Sequence, residues 1–204
     1  MIELKEYISN FIVPQSLIAD EQPWEITDKL KKIIVQLIQM LDTEFEIANG
    51  IAIHKSAIIE KHAVLKAPFI VMKNAVVSAN AYFLEGVIIG KDTKIGQGCE
   101  IKSSIIGNDS AIAHFNYIGN SLIGEKVNFE AGSIAANHYN ERAEKEISVK
   151  YKSKIIKTKA IKFGALVGDG SKIGANAVLS PGTLLSKNAV VKRLQLIEQV
   201  REYD

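Results

Sequence analysis

The chain has 204 residues, and its 25 basic and 23 acidic side chains give a formal net charge of +2 without a large field of one sign. That balance argues against a basic nucleic-acid-binding domain, and we expect no nucleic acid partner. The apolar fraction is 47% and the aromatic fraction 7%, which is typical of one globular core filled by aliphatic side chains.

The cysteine content and the N-terminal sequence bear on the compartment. Cys99 is the single cysteine, so no internal disulfide or cysteine-pair metal site can form, which fits a reducing environment. The first residues lack a basic segment followed by an apolar run, and no window of about 18 uncharged apolar residues occurs. We therefore expect a cytoplasmic protein with no membrane contact.

Residues 1–50 are expected to form an N-terminal arm. Pro23 is a favoured first residue of a helix, and helical spacing predicts an amphipathic helix over residues 23–42. The apolar positions that carry this prediction are Ile26, Leu30, Ile33, Ile34, Leu37, Ile38 and Leu41. The apolar face of this helix must pack against another surface. Packing on the chain's own core or on a sister subunit is favoured over a membrane or a partner helix.

From Ile53 onward an aliphatic or aromatic side chain recurs at every sixth residue. The series runs Ile53, Ile59, Leu65, Val71, Val77, Phe83, Ile89, Ile95 and Ile101, resumes at Ile106 and Ile123 after one-residue shortenings, and returns from Ile161 to Val191. A fixed period of six is typical of a parallel β-helix, in which each repeat is one short strand and a corner. Residues 51–192 are therefore predicted to be a mainly β parallel β-helix.

Two segments fall outside this period. Residues 140–159 contain many lysines and are predicted to be an inserted loop, either a solvated one or a lid whose lysines meet phosphate. Residues 193–204 carry Leu194, Ile197 and Val200 at spacings that predict a short C-terminal helix. Cys99 occupies a position in the repeat where small residues recur, which indicates a buried apolar group rather than a reactive thiol.

In each repeat, an aliphatic residue is followed by Gly or another small or acidic residue, and a small residue stands four positions after the aliphatic. This repeat resembles that of the hexapeptide acyltransferases. The resemblance implies a left-handed β-helix with three repeats per coil, and therefore about seven coils, and a homotrimer. From Glu100 to Asn140 it becomes more specific, with H-x-x-Y-[IL]-G-[DN] at His114–Asn120 and V-N-x-x-A-G-[ST]-I at Val127–Ile134. This stretch is similar to the glucosamine-1-phosphate N-acetyltransferase domain of the bifunctional enzymes that make UDP-N-acetylglucosamine, including the archaeal-type sugar-1-phosphate nucleotidyltransferase/acetyltransferases.

The resemblance implies three residues with roles in catalysis. His114 matches the general base that takes a proton from the sugar amine, since imidazole titrates near neutrality. Glu100 matches a carboxylate that orients this ring. Asn137 matches the residue that positions the amine and the acetyl group. The implied reaction is acetyl transfer to an amino sugar phosphate resembling glucosamine 1-phosphate.

Substrate and co-substrate contacts follow from the same resemblance. Lys102, Tyr117 and Asn128 match residues that hold the sugar phosphate. Backbone N–H groups, with Ala131 as the candidate, would stabilise the oxyanion. The implied co-substrate is acetyl-CoA, and its expected contacts are Gly164, Ala165, Lys187 and Arg193.

Three departures keep a second interpretation open. Leu84, Glu85 and Gly86 stand where the family has a phosphate-gripping Arg followed by Pro and Gly, and His138 stands in place of a Tyr. Nothing in residues 1–50 resembles a nucleotide-binding loop. The alternative is a non-catalytic trimeric β-helix that pairs with a separate nucleotidyltransferase. No histidine pair has the H-x4-H spacing of the carbonic anhydrases that share this fold, so no metal is expected.

Overall fold

The N-terminal arm wraps the outside of the molecule in the computed structural model, which describes residues 1–201. Two 3-10 turns, Leu4–Glu6 and Gln15–Leu17, precede helix α1, Pro23–Ile38. A capping box starts α1: the Gln22 N–H donates to the Glu25 carboxylate at 2.7 Å, and the Gln22 side chain accepts in return. The helix begins where predicted but ends at Ile38 rather than residue 42, because the chain turns there into a strand.

The strands that follow are short. Their bounds are β1 Phe45–Ala48, β2 Ile51–His54, β3 Ile58–Ile59, β4 Val64–Leu65, β5 Phe69–Val71, β6 Val76–Val77, β7 Tyr82–Ile89, β8 Lys94–Ile95, β9 Glu100–Ile106, β10 Ala111–Ile112, β11 Tyr117–Gly119, β12 Leu122–Ile123, β13 Asn128–Phe129, β14 Ile134–Ala135, β15 Ser148–Tyr151, β16 Lys154–Lys157, β17 Ala165–Val167, β18 Lys172–Ile173, β19 Val178–Leu179, β20 Thr183–Leu185, β21 Val190–Val191 and β22 Leu196–Ile197.

These strands stack into a parallel β-helix with three faces. Face 1 contains β2, β5, the second half of β7, the second half of β9, β12, β17 and β20. Face 2 contains β3, β6, β8, β10, β13, β18 and β21. Face 3 contains β4, the first half of β7, the first half of β9, β11, β14, β19 and β22. The architecture predicted from the period of six is therefore confirmed.

The residues of the six-residue series fill the inside of the β-helix. Phe83, Ile101 and Phe129 are fully buried there and belong to one continuous cluster. Cys99 is buried at a corner of this core, and burial raises the pKa of its thiol. The interpretation of Cys99 as a small buried group is thus confirmed.

The outside of face 1 is also apolar, and the arm covers it. Ile70, Ile88 and Ile105 point outward from this face, are fully buried, and belong to a second apolar cluster that contains Ile26 and Leu30 of α1. The amphipathic helix therefore packs on its own chain, as the favoured interpretation proposed. None of the helices in residues 1–201 is long and apolar enough to cross a membrane.

The prediction of an irregular loop at residues 140–159 is wrong in part, because β15 and β16 form an antiparallel hairpin there. Lys152 and Ser153 both have positive φ, 46° and 63°, which suits a two-residue turn between twisted strands. Val149 and Ile156 pair across the hairpin, and Val149 is fully buried in the cluster over face 1. The apolar side chains on one side of the lysine-rich segment thus dock it against the β-helix.

The prediction of a helix at residues 193–204 is also wrong for the described part of that segment. Leu196–Ile197 forms β22, which pairs in parallel with β19. Ile197 stands six residues after Val191 and packs against the same core, so the segment continues the repeat and adds a rung to face 3. Pairing with an existing strand edge satisfies backbone groups that a short isolated helix would leave exposed. Residues 202–204 lie outside the described part.

Candidate functional site

A group of polar side chains gathers on face 3 and at the corner that joins it to face 1. Parallel pairing stacks Tyr117 on Glu100 and Gly119 on Lys102, because β11 and β9 are in register. Outward-facing residues of neighbouring rungs thus become lateral neighbours, although 17 residues separate them in the sequence. We refer to Glu85, Glu100, Lys102, Tyr117, Asn120 and Asn137 as the polar cluster.

A chain of hydrogen bonds connects the middle of the polar cluster. The Tyr117 hydroxyl donates to Asn137 Oδ1 at 3.2 Å, and Asn137 Nδ2 donates to Asn120 Oδ1 at 2.7 Å. The Nδ1 atom of His138 also lies 3.2 Å from Asn137 Oδ1. Asn137 is 3% exposed, and its backbone carbonyl accepts from the Phe163 N–H at 2.9 Å. Phe163 lies where the chain rejoins the β-helix after residues 140–159, and its N–H therefore fixes the backbone that carries the Asn137 side chain.

Lys102 is paired within the polar cluster. Its Nζ lies 3.3 Å from Glu85 Oε2, and its side chain is only 17% exposed. Glu100 is exposed at the edge of the same face. The cluster thus contains two carboxylates and one ammonium group.

Burial raises the pKa of the Tyr117 hydroxyl, and the negative charges of Glu100 and Glu85 raise it further. The hydrogen bond to Asn137 acts in the opposite direction but does not cancel these effects. Tyr117 therefore remains protonated at neutral pH and can donate a hydrogen bond.

His114 stands at the corner between face 2 and face 3, one rung beyond Gly96. A Cβ added at Gly96 would lie 3.0 Å from His114 Nδ1 and 1.5 Å from the Ala113 carbonyl oxygen, so the chain approaches closely here. The His114 side chain is exposed, and its ring makes no hydrogen bond with any of residues 1–201.

Asn128, Ala131 and Arg193 lie apart from the polar cluster. Asn128 is on face 2, where it and Arg193 line an open groove of about 720 Å³ together with Lys172 and Lys192. Arg193 forms a two-point ion pair with Glu130, with distances of 2.8 and 2.9 Å, which lowers the pKa of that carboxyl. Ala131 follows Glu130 and is exposed.

The remaining predicted contacts are engaged inside the chain. Gly164 and Ala165 are buried on face 1, and their N–H groups donate to the Asn120 carbonyl and the Ser121 hydroxyl at 2.9 and 3.0 Å. Lys187 donates to the Lys5 carbonyl and the Ser9 hydroxyl at 3.0 and 2.8 Å and thereby ties down the arm.

Of the predicted site residues, the structure brings together Lys102, Tyr117 and Asn137, with Glu100 beside them. Sequence reasoning missed Asn120, although it lies in the quoted motif and is buried against Asn137. It also missed that Glu85 pairs with Lys102. Residues 1–201 contain no group of three or more His, Cys, Asp or Glu placed to hold a metal ion.

The known proteins that resemble the chain in sequence include two bifunctional proteins. The "Bifunctional protein GlmU" of Clostridium botulinum is 34% identical over 101 residues, which is 50% of this chain and 20% of that protein. The "Bifunctional sugar-1-phosphate nucleotidylyltransferase/acetyltransferase" of Sulfurisphaera tokodaii is 31% identical over 135 residues, 63% of this chain and 33% of that protein. The chain thus spans between a fifth and a third of the length of these relatives.

Solved structures with a similar fold are more distant. The acetyltransferase domain of PglB from Neisseria gonorrhoeae is 12% identical with a TM-score of 0.36, and the match covers 86% of this chain and 72% of that one. AntD, an N-acyltransferase from Bacillus cereus in complex with dTDP and 3-hydroxybutyryl-CoA, is 13% identical with a TM-score of 0.35, covering 80% and 76%. Both TM-scores are low, so the assignment of a family rests on the sequence matches.

The relationship to bifunctional nucleotidyltransferase/acetyltransferases expected from the sequence is confirmed by these relatives. A family match covers more than half of the chain, residues 47–156, which includes the polar cluster. The chain belongs to the family described as the GMPPB C-terminal domain.

Proposed function

We propose that the protein is an acetyl-CoA-dependent N-acetyltransferase that acts on an amino sugar. More specifically, the proposed acceptor is an amino sugar phosphate resembling glucosamine 1-phosphate, in the UDP-N-acetylglucosamine pathway. The observation that carries the proposal is the grouping of Lys102, which is paired with Glu85, with the hydrogen-bonded side chains of Tyr117 and Asn137. A lysine, a phenol and an amide are the directional partners that a sugar derivative needs. The relative from Sulfurisphaera tokodaii is named as an acetyltransferase, which supports the reaction class.

In the proposed reaction, the amine of the acceptor attacks the thioester carbonyl carbon. A C–N bond forms, the C–S bond breaks, and the thiol of coenzyme A leaves with a proton. His114 takes the proton that the amine loses, acting as the general base. The family resemblance assigns Glu100 to orient the imidazole, although no hydrogen bond joins the two side chains in residues 1–201, and it assigns Asn137 to hold the amine. The Ala131 N–H is the candidate donor to the oxyanion.

Acetyl-CoA carries several phosphate charges, and the groove on face 2 offers cations for them. Lys172 and Lys192 line this groove with Arg193, whose side chain is 73% exposed despite its ion pair. The burial of Gly164 and Ala165 does not support their direct contact with the co-substrate within one subunit, and Lys187 is held by the arm. These three assignments stay predictions.

A homotrimer is part of the proposal. The arm covers face 1, whereas the other two faces and the corner between them carry large exposed apolar side chains. Phe115, Val190 and Leu196 are 70%, 70% and 60% exposed. Exposed apolar side chains on two adjacent faces suit the association of like subunits.

The proposal predicts release of the coenzyme A thiol from acetyl-CoA only when an amino sugar is present. The assay compares glucosamine 1-phosphate, glucosamine 6-phosphate and free glucosamine as acceptors, and a sugar without an amine serves as the control. Release that depends on the acceptor and yields the N-acetylated sugar supports the proposal. An equal rate with the amine-free sugar, or no release with any acceptor, contradicts it.

Replacing Gly119 by Ala is expected to raise the KM for the acceptor about tenfold. An added Cβ would lie 2.6 Å from the Tyr117 hydroxyl and 2.8 Å from Asn137 Cγ and Nδ2, so the hydrogen bond between these two side chains must break. Tyr117→Phe removes the same hydrogen bond without the steric conflict. Both variants should raise KM in parallel, and unchanged acceptor kinetics in both would contradict a role for this pair.

One observation favours the non-catalytic alternative, a trimeric β-helix that pairs with a separate nucleotidyltransferase. Lys102, the cation expected to hold a phosphate, is neutralised by Glu85. Co-purification with a nucleotidyltransferase, together with no heat of coenzyme A binding in calorimetry, would support this alternative. Measurable coenzyme A binding would argue against it.

A further inference from the structure

A β-bulge aims Glu85 at Lys102. The pairing of β7 with β9 shifts between Leu84 and Val87, so that Glu85 and Gly86 stand opposite the single residue Ser103. Glu85 has a φ of +59° and Gly86 a φ of +93°. A positive φ is unfavourable for a Glu, and a bulge turns a side chain away from its regular direction. The backbone here adopts a costly conformation that brings a carboxylate to the lysine.

Two neighbours hold the bulge in place. The Ser103 hydroxyl donates to the Glu85 carbonyl oxygen at 3.0 Å. On the other side, a Cβ added at Gly86 would lie 3.3 Å from the backbone nitrogen of Lys31, so α1 packs directly over this glycine. Because the backbone is fixed from both sides, the carboxylate stays within reach of Lys102.

The charges around Lys102 oppose a second anion. Its Nζ lies 3.3 Å from Glu85 Oε2, and Glu100 is stacked on the same face. A phosphate that approached Lys102 would have to displace Glu85 from the ammonium group and would then face two carboxylates. Like charges placed close together in a binding site lower affinity, whereas a neutral hydroxyl pays no such cost.

We propose that Glu85 is a specificity-determining residue that competes with an anionic group of the acceptor for Lys102. The site thereby discriminates against amino sugars that place a phosphate beside this lysine, relative to the same sugars without phosphate. This inference rests on the proposed function and changes its acceptor class, because it favours an amino sugar without a phosphate at this lysine over the glucosamine-1-phosphate-like acceptor. The carboxylate occupies the position of an acceptor anion, and removal of its negative charge frees the lysine.

The test is Glu85→Gln, which removes the charge and nearly preserves the shape. The KM for glucosamine 1-phosphate should fall about three- to tenfold, while the KM for free glucosamine should change less than about twofold. Raised salt should shrink the difference. Glu85→Asn is the second variant, because Asn tolerates a positive φ better than Gln. Equal changes for both acceptors, or no change for either, would overturn the inference.

A matched control removes a carboxylate from another lysine pair. Glu44 lies 4.0 Å from Lys55 near the start of the β-helix, and Glu44→Gln should leave the kinetics with both acceptors unaltered. A change there equal to that of Glu85→Gln would show that net charge alone is responsible and would overturn the inference.

A binding measurement separates this inference from the proposed function. Calorimetry measures glucosamine 1-phosphate binding to the wild type and to Glu85→Gln without acetyl-CoA. If neither protein turns over any acceptor but Glu85→Gln binds the phosphorylated sugar more tightly, the proposed reaction fails and the role of Glu85 stands. Equal binding by both proteins overturns the role of Glu85, whatever the activity.

Discussion

His114→Ala is expected to reduce acceptor-dependent release of coenzyme A by about 10²- to 10⁴-fold, the usual contribution of a general base. The amine must lose a proton as the C–N bond forms, and an imidazole takes up protons in the neutral range. The His114 ring is exposed at the corner between face 2 and face 3, and it makes no hydrogen bond with any of residues 1–201. Alanine keeps the corner backbone and removes only the base.

The control is His54→Ala, because His54 lies in the first rung of face 1, where Ser56 and Phe45 are its neighbours. This variant should retain the activity of the wild type. The rate of His114→Ala should rise again when a small imidazole base is added to the assay. Activity at the wild-type level in His114→Ala would exclude this residue as the base and leave the proton to another group.

The β-helix could be predicted from the sequence because a single constraint repeats along the chain. Each rung places one large apolar side chain inside, so Ile53, Ile101 and Val191 report the same geometry. The six-residue period is lost where side chains pack against a second surface instead of the inside of the β-helix. Residues 140–159 lack the six-residue period because they pack on the outside of face 1, through Ile147 and Val149. Their apolar side chains alternate as in the strands of a hairpin, but this pattern is too short to be recognised among the lysines.

At the C-terminal segment, the sequence pattern predicted a helix where the six-residue repeat in fact continues. Leu194, Ile197 and Val200 fit a helical spacing, but Ile197 also continues the six-residue series from Val191. The available strand edge of β19 decides between the two patterns. A local pattern of three residues cannot reveal such an edge, because the edge belongs to a strand 18 residues earlier in the chain.

Only those residues of the site that lie in the sequence motifs could be predicted. Lys102, Tyr117 and Asn137 fall together because rungs stack in register, which the period already implied. The pairing of Glu85 with Lys102 was not predictable, since it depends on a bulge that shifts the register between Leu84 and Val87. A Glu-Gly dipeptide within a strand is the one signal of that bulge in the sequence.

The corner that carries His114 should depend strongly on Asn116. This side chain is 2% exposed, and its Nδ2 lies 2.8 Å from the Glu130 carbonyl oxygen, 3.1 Å from the Ser133 carbonyl oxygen and 2.9 Å from the Ser133 hydroxyl. Asn116→Ala removes this shared donor from the buried acceptors, of which only the Glu130 carbonyl keeps another donor, the Ser133 hydroxyl at 2.7 Å. We expect the free energy of unfolding to fall by about 2–3 kcal/mol, measured by urea denaturation, with an unchanged m-value.

The control Asn140→Ala removes an exposed amide, and its unfolding free energy should change by less than about 0.5 kcal/mol. Asn116→Ser tests the mechanism. Ser110 and Ser171 occupy the same position of the six-residue repeat at the corner between face 1 and face 2, and their hydroxyls donate to carbonyls of the following rung at 3.1 and 3.3 Å. Asn116→Ser should therefore lose less stability than Asn116→Ala. If both variants lost the same amount, the missing volume rather than the missing donor would explain the loss, and the corner would be held by packing instead of by its amide.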